Sequence, residues 1–156
     1  MTLNLSIAKI SDRDEKLSIV REVLADLSEW FGIPEAVEEY IKEAGNLPLW
    51  AAKVGENNAG FVTLRESSKD CGEIHCMGVK KLWHRQRVGT LLMNALIKEA
   101  KNKYEYLQVK TLDEGQCEYY DRTIRFYRNC GFRKLEVFPT LWSETNPCLI
   151  MIMKIG

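Results

Sequence analysis

The sequence predicts an α/β (α+β) fold, with a central mixed sheet of about seven strands and helices on both faces. Two observations carry that prediction. Alternating or apolar runs bounded by turn residues recur along the chain, and segments with apolar residues at spacings of three and four lie between them. A third observation sets the domain count. No repeat, low-complexity stretch or Pro/Gly-rich linker divides the 156 residues, so residues 1–156 read as a single domain.

The elements follow in order. "LSIAKI" alternates and forms the first strand. Ser11 stands before Asp12, Asp14 and Glu15, whose charges suit the positive end of a helix. Leu17, Val20, Leu24 and Leu27 continue that helix on one stripe. After "FGIP", Pro34 opens a second, short helix carrying Val37, Tyr40 and Ile41 and ending near Gly45. "PLWAAKV" and "AGFVTLRES" flank the turn-rich "GENN" and make a β-hairpin. "GEIHCMGVK" is the next strand. Val88, Leu91, Leu92, Ala95, Leu96 and Ala100 then mark a helix, and "YLQVKTL" a further strand. A helix over 119–130 stops at Gly131, and "FRKLEVF" and "CLIMIMKI" close the chain as strands.

Composition excludes several classes of function. At 46% hydrophobic and 28% charged the chain is an ordinary soluble protein. Lys plus Arg equals Asp plus Glu at 22 each, so no global field draws it to nucleic acid or an anionic membrane. Its start, "MTLNLSIAKISDRDEK", has no apolar signal region, and the expected location is cytoplasmic. Cys71, Cys76, Cys117, Cys130 and Cys148 are scattered and odd in number, which argues for reduced, mostly packed thiols. His75 and His84 with these cysteines fit no usual metal-ligand spacing, so no metal is expected.

"HRQRVGTLLMNALIKEA", residues 84–100, poses the functional question. It is a helix introduced by His84, Arg85 and Arg87, with no Asp, Ser or Asn just ahead to cap it. The first amides of such a helix lack intrahelical partners, and its dipole favours an anion there. Arg85 and Arg87 would add charge-assisted bonds to phosphate oxygens, and Gly89 would let the backbone approach a ligand closely. A water-capped helix flanked by solvated arginines is the other reading of this segment alone.

The neighbouring residues turn the choice. "EIHCMGVKKLWHRQRVGTLLMNAL" resembles the acetyl-CoA-binding motif of the GNAT superfamily of N-acetyltransferases. Met77-Gly78-Val79 match the end of that family's strand, and His84-Arg85-Gln86-Arg87-Val88-Gly89 match its Q/R-x-x-G-x-G/A loop, which leads into Thr90 of the helix. "RFYRNCGF" resembles the family's later FY-x-x-x-GF signature, and the order of elements is also the family's. The "FPTLW…NPCL" ending is similar to a bacterial subgroup of undefined substrate. The resemblance implies a mostly antiparallel sheet and acetyl-CoA as co-substrate. Three positions depart from the pattern, the first being His84 in place of the leading Gln or Arg. Arg87 replaces the loop's first Gly, which leaves the amide cradle intact if its φ is negative. Tyr120 stands where many members have Asn.

Acetyl transfer to an amine needs a base, since an alkylammonium with pKa about 10.4 is neutral only to the order of one part in a thousand at pH 7. Glu73 and His75 lie two apart on the strand and so face one side with Met77. In the resembling family such positions often supply the base; Glu73 is the first choice and His75 the second. Glu73 could equally pair with a Lys or Arg of a neighbouring strand, and His75 could be a hydrogen-bonded core residue. Tyr127 matches the family's tyrosine near the CoA sulfur and would be the acid, with its ring packed in the core. A backbone amide near Met77 would meet the oxyanion. Trp30 and Phe31, together with Trp142 and Glu144, fall where such folds wall the acceptor. The expected acceptor is a primary amine of a small molecule or peptide, and a homodimer is left open. Two rival readings stand beside this one: transfer of a longer acyl group, or an acyl-CoA-binding sensor or interaction domain that has lost turnover.

Overall fold

The computed structural model describes residues 4–156. Among the described residues, seven strands join in one sheet in the order β1-β2-β3-β4-β5-β7-β6, and four α-helices accompany them. The chain divides into two compact units. One runs to Arg65 and takes in His75–Glu99; the other holds Glu66–Ile74 and Ala100–Gly156.

In the first unit, β1 (Leu5–Ile10) pairs antiparallel with β2 (Leu49–Val54), which pairs antiparallel with β3 (Asn57–Glu66). The hairpin turn is shorter than the sequence suggests. Gly55 takes the left-handed conformation at φ 61°, so Asn57 and Asn58 already belong to β3. Helix α1 (Arg13–Ala25) is capped by Asp12 rather than Ser11. The Asp12 carboxylate accepts from the Glu15 amide at 2.9 Å, and an anion suits the helix's positive end better than a hydroxyl does. α1 buries Ile19, Val20, Val23 and Leu24. α2 (Pro34–Ala44) starts on Pro34, as its fixed φ allows, and buries Ile41 and Ala44. These side chains form one core with Leu49, Ala51, Phe61 and Cys76.

β4 (Cys71–Val79) begins in the second unit and ends in the first. Its Gly78 is explained by packing: a Cβ there would lie 2.9 Å from Leu27 Cδ1 and 3.0 Å from Val23 Cγ1. A short 3₁₀ turn (Lys81–Trp83), not foreseen from the sequence, leads toward α3 (Val88–Ala100).

In the second unit β4 and β5 (Tyr106–Leu112) run parallel, Cys71–Ile74 facing Tyr106–Val109. β7 (Asn146–Lys154) pairs antiparallel with β5 and with β6 (Arg133–Ser143). α4 (Glu118–Cys130) ends on Gly131 at φ 114°, the left-handed stop that the sequence predicts. The last strand pair is irregular. Phe138 faces Cys148 and Ser143 faces Asn146, so residues 139–142 lie opposite Pro147 alone. This bulge leaves Leu141 and Trp142 exposed on the edge strand.

The five cysteines are free thiols. Burial pushes the Cys130 thiol up to about 11 and raises Cys71, Cys76 and Cys148 as well. Those four stay protonated at neutral pH and serve packing rather than nucleophilic chemistry. No helix among the described residues is long and apolar enough to cross a membrane.

Candidate active site

The loop between β4 and α3 is built by strained backbone. Arg85 and Arg87 both adopt the left-handed region, at φ 62° and 65°. The negative φ expected at Arg87 is therefore not found; the position keeps the conformation that a glycine would take and holds it with a larger residue. Such a conformation costs about 1–2 kcal/mol for a non-glycine residue, and strain of this kind collects at functional sites. Arg87 O accepts from Leu91 N at 3.0 Å, so the helical ladder opens there. The amides of Val88, Gly89 and Thr90 precede that first bonded amide and point out of the helix's N-terminus. The exposed arginines and these amides suit a pyrophosphate in charge and in donor number.

Other residues of the first unit brace this loop. His84 Nε2–H donates to the Val79 carbonyl at 2.6 Å, and its ring meets Trp30 edge-on at 5.8 Å. Gln86 Nε2 donates to Leu82 O at 3.3 Å. Lys81 N donates to Asp26 Oδ2 at 2.8 Å, Lys81 Nζ pairs with Glu29 at 2.9 Å, and Lys80 pairs with Glu22. The Lys81 bond holds the Glu29 carboxyl below its ordinary range.

A buried polar cluster lies behind Met77 in the same unit. The His75 side chain is 1% exposed. Its Nδ1 lies 2.9 Å from Thr63 Oγ1, and its Nε2 lies 2.5 Å from Glu43 Oε2. Thr63 Oγ1–H donates to the Cys76 carbonyl at 3.2 Å. Arg65 approaches the same Glu43 oxygen at 3.4 Å. Tyr40 meets the His75 ring at 5.4 Å, and Phe31 meets Tyr40 at 5.9 Å. Thus Trp30 and Phe31, both read from the sequence as an acceptor wall, are joined through rings to His84 and His75 respectively.

In the second unit the Glu73 side chain is 5% exposed, with Lys110 Nζ at 3.6 Å. Gln108 Nε2 donates to its Oε1 at 2.8 Å. Lys110, on β5, is thus the neighbouring-strand cation of the alternative reading of Glu73. Tyr127 is buried, its ring 5.7 Å from Phe132 and 5.6 Å from Phe126. Trp142 lies within β6, and Glu144 in the turn after it, both away from the buried core of the unit.

Residues 17–132 match the Acetyltransferase (GNAT) family, a span that takes in β4, the arginine loop and the α4 tyrosine. The chain belongs to that family. Solved GNAT structures share its architecture at low identity. A GNAT-family protein from Desulfovibrio desulfuricans is 15% identical, with 97% of this chain and 99% of that one covered and a TM-score of 0.82. A GNAT acetyltransferase from Elizabethkingia anophelis, solved with acetyl-CoA bound, is 18% identical over 97% and 98% of the two chains, with a TM-score of 0.68. The ribosomal-protein-S18-alanine N-acetyltransferase of Escherichia coli is 16% identical over 97% and 94%, with a TM-score of 0.75. No curated protein sequence matches the chain.

Within this GNAT chain, Thr63 and Glu43 are residues that sequence reading missed. Each contacts His75 across a gap of 12 or 32 residues, a proximity that no local pattern announces. Arg87→Gly tests the strained loop directly. Relief of about 1–2 kcal/mol of backbone strain, less about 0.5–1 kcal/mol for glycine's extra unfolded freedom, should leave the variant as stable as wild type or slightly more so in urea unfolding. Clear destabilisation would mean that the guanidinium's own contacts outweigh the strain.

Proposed function

We propose that residues 1–156 act as one acetyl-CoA-dependent N-acetyltransferase domain, moving the acetyl group to a primary amine of a small molecule or peptide by direct attack. The observation that carries this reading is the strained arginine loop opening onto the N-terminus of α3 in a chain of the GNAT family. GNAT neighbours hold acetyl-CoA or coenzyme A, and one of the latter is an aminoglycoside 6'-N-acetyltransferase, 20% identical with a TM-score of 0.72.

In this reading the amides of Val88, Gly89 and Thr90, with Arg85 and Arg87, hold the pyrophosphate. The backbone of Met77, Gly78 and Val79 lines the pantetheine arm. Glu73 takes the proton from the amine. The amine nitrogen then bonds to the thioester carbon, and the C–S bond breaks after collapse of the tetrahedral adduct. The Met77 N–H stabilises the developing oxyanion. Tyr127 gives a proton to the departing thiolate, and the second proton, which the nitrogen sheds as the adduct collapses, restores the tyrosine. Two protons thus leave the ammonium, one to Glu73 and one, by way of Tyr127, to sulfur. Trp30 and Phe31 wall the acceptor, and Trp142 and Glu144 are weaker candidates for that role.

A panel of small amines and peptides, incubated with acetyl-CoA and read by release of free thiol, tests the proposal. At least one amine should release thiol well above the rate of hydrolysis and gain the mass of an acetyl group. Tight CoA binding with no thiol release from any amine would favour the acyl-CoA sensor, whereas release only from longer acyl-CoA thioesters would move the reading to that chemistry.

A further inference from the structure

The cluster behind Met77 has an order that the acetyltransferase reading leaves unused. Thr63 is fully buried and its hydroxyl has one hydrogen. Directed to the Cys76 carbonyl at 3.2 Å, that hydrogen leaves Oγ1 to accept from His75 Nδ1–H at 2.9 Å. His75 Nε2–H then donates to Glu43 Oε2 at 2.5 Å. With hydrogen on both ring nitrogens, the ring in this arrangement would be an imidazolium with Glu43 as its counter-ion. The Cys76 carbonyl belongs to the same peptide unit as the Met77 N–H.

We infer that Glu43, His75 and Thr63 form a hydrogen-bonded relay that polarises the Cys76–Met77 peptide, strengthening the Met77 N–H as a donor to the oxyanion. The inference rests on the proposed function, since it needs a thioester oxygen at Met77. No proton is transferred along the relay. Donation to a peptide oxygen draws electron density from its nitrogen, and bonds in such a chain strengthen one another. A cationic ring behind the peptide adds a field of the right sign for negative charge developing on its far side. Burial makes both effects stronger than they would be in water.

His75 is therefore a positioning residue. With hydrogen on both ring nitrogens in the relay, His75 has no lone pair with which to take a proton from the amine. Glu43, at 36% side-chain exposure, is the relay's outer end. The groups facing the ring are Glu43 and Tyr40 from α2, Thr63 and Arg65 from β3 by way of Glu43, and Cys76 from its own strand. Glu43 Oε2 thus stands between the His75 ring and the Arg65 guanidinium.

Two measurements test the relay. The first needs no ligand: nitrogen-15 NMR of the full chain, with His75 told apart from His84 by a His84→Gln control. Both His75 nitrogens should show attached hydrogen at neutral pH. An Nδ1 without hydrogen would place the Thr63 hydrogen on the ring rather than on Cys76, and would overturn the relay.

The second measurement is infrared difference spectroscopy of bound acetyl-CoA labelled with carbon-13 at the thioester carbonyl, together with single-turnover rates. Thr63→Val should reduce the carbonyl's shift to lower frequency and slow turnover about tenfold, with acetyl-CoA affinity unchanged. Thr63→Ser should restore both to within about twofold, because it keeps the hydroxyl. Should Thr63→Val fail to fold, Glu43→Gln, at the accessible end, should still reduce the shift without weakening acetyl-CoA binding. An unchanged shift in the folded variants would overturn the inference. Wild type that binds no acetyl-CoA at all would instead reject the proposed function, and the NMR result would then decide the hydrogen-bond relay alone.

Discussion

Replacing Glu73 by Gln lowers the single-turnover acetylation rate by about 10²–10⁴-fold, the usual contribution of a general base, and leaves CoA affinity near that of wild type. The structure makes this substitution a clean one. Gln108 Nε2 donates to Glu73 Oε1 at 2.8 Å in wild type, and the amide side chain of Glu73→Gln still offers an oxygen to accept that bond. Lys110 loses its counter-ion but is 31% exposed and can turn to water. Glu73 itself is buried, so some stability goes with the pair, but the charge left behind is the more exposed one. The cost should therefore stay below the roughly 3–5 kcal/mol of a fully buried pair, while the chemical step loses several kcal/mol. The pH dependence separates a base from a structural anion. Without Glu73, only amine already neutral in solution reacts, and its fraction rises tenfold per pH unit up to its own pKa of about 10.4. The deficit of Glu73→Gln should shrink as pH rises. A deficit constant from pH 7 to 10, or none at all, would assign Glu73 to charge balance with Lys110.

That substitution also marks the boundary of what the sequence discloses. The elements are legible because local chemistry decides them. Pro34 and Gly131 set the start of α2 and the end of α4, and alternation along "YLQVKTL" buries Leu107, Val109 and Thr111 as a half-buried strand should. The arginine loop is legible as well, since an uncapped helix start is a property of consecutive residues. Its backbone is not. A left-handed φ at Arg85 and Arg87 is imposed by the surrounding loop against the residues' own preference, and propensity argues the wrong way. The partners of the strand's polar residues are equally hidden. Glu73 and His75 are two apart, yet the first is engaged by Gln108 and Lys110 and the second by Thr63 and Glu43. Alternation shows that both are on one face of β4, but not which distant side chains meet them. The irregular pairing after Phe138 is a further case. The sequence pattern ends that strand at Phe138, and only the register against Pro147 shows β6 running on to Ser143 through a bulge.

The largest binding effect is expected at Gly89, where helix stability and cofactor affinity should move in opposite directions. Gly89 is the second residue of α3, within the turn whose amides precede the first bonded amide of the helix. By the helix terms alone Gly89→Glu is favourable. Replacing an interior glycine is worth about 0.5–1 kcal/mol, and a carboxylate in the first turn gains about 0.3–1 kcal/mol from the dipole. The same carboxylate competes for the amides and the field that would hold a pyrophosphate, and it repels that dianion directly. CoA affinity should fall at least about 100-fold, equivalent to roughly 2.7 kcal/mol, while the urea midpoint stays level or rises. Pantetheine, which lacks the pyrophosphate, supplies the control: it should bind wild type and Gly89→Glu alike, and the preference of wild type for CoA over pantetheine should disappear in the variant. Gly89→Ala, which adds a methyl group and no charge, should keep most of that preference. Calorimetry with both ligands on the three proteins decides the matter. CoA bound equally by wild type and Gly89→Glu would show that the start of α3 is merely solvated, and the arginines beside it would lose their assigned ligand.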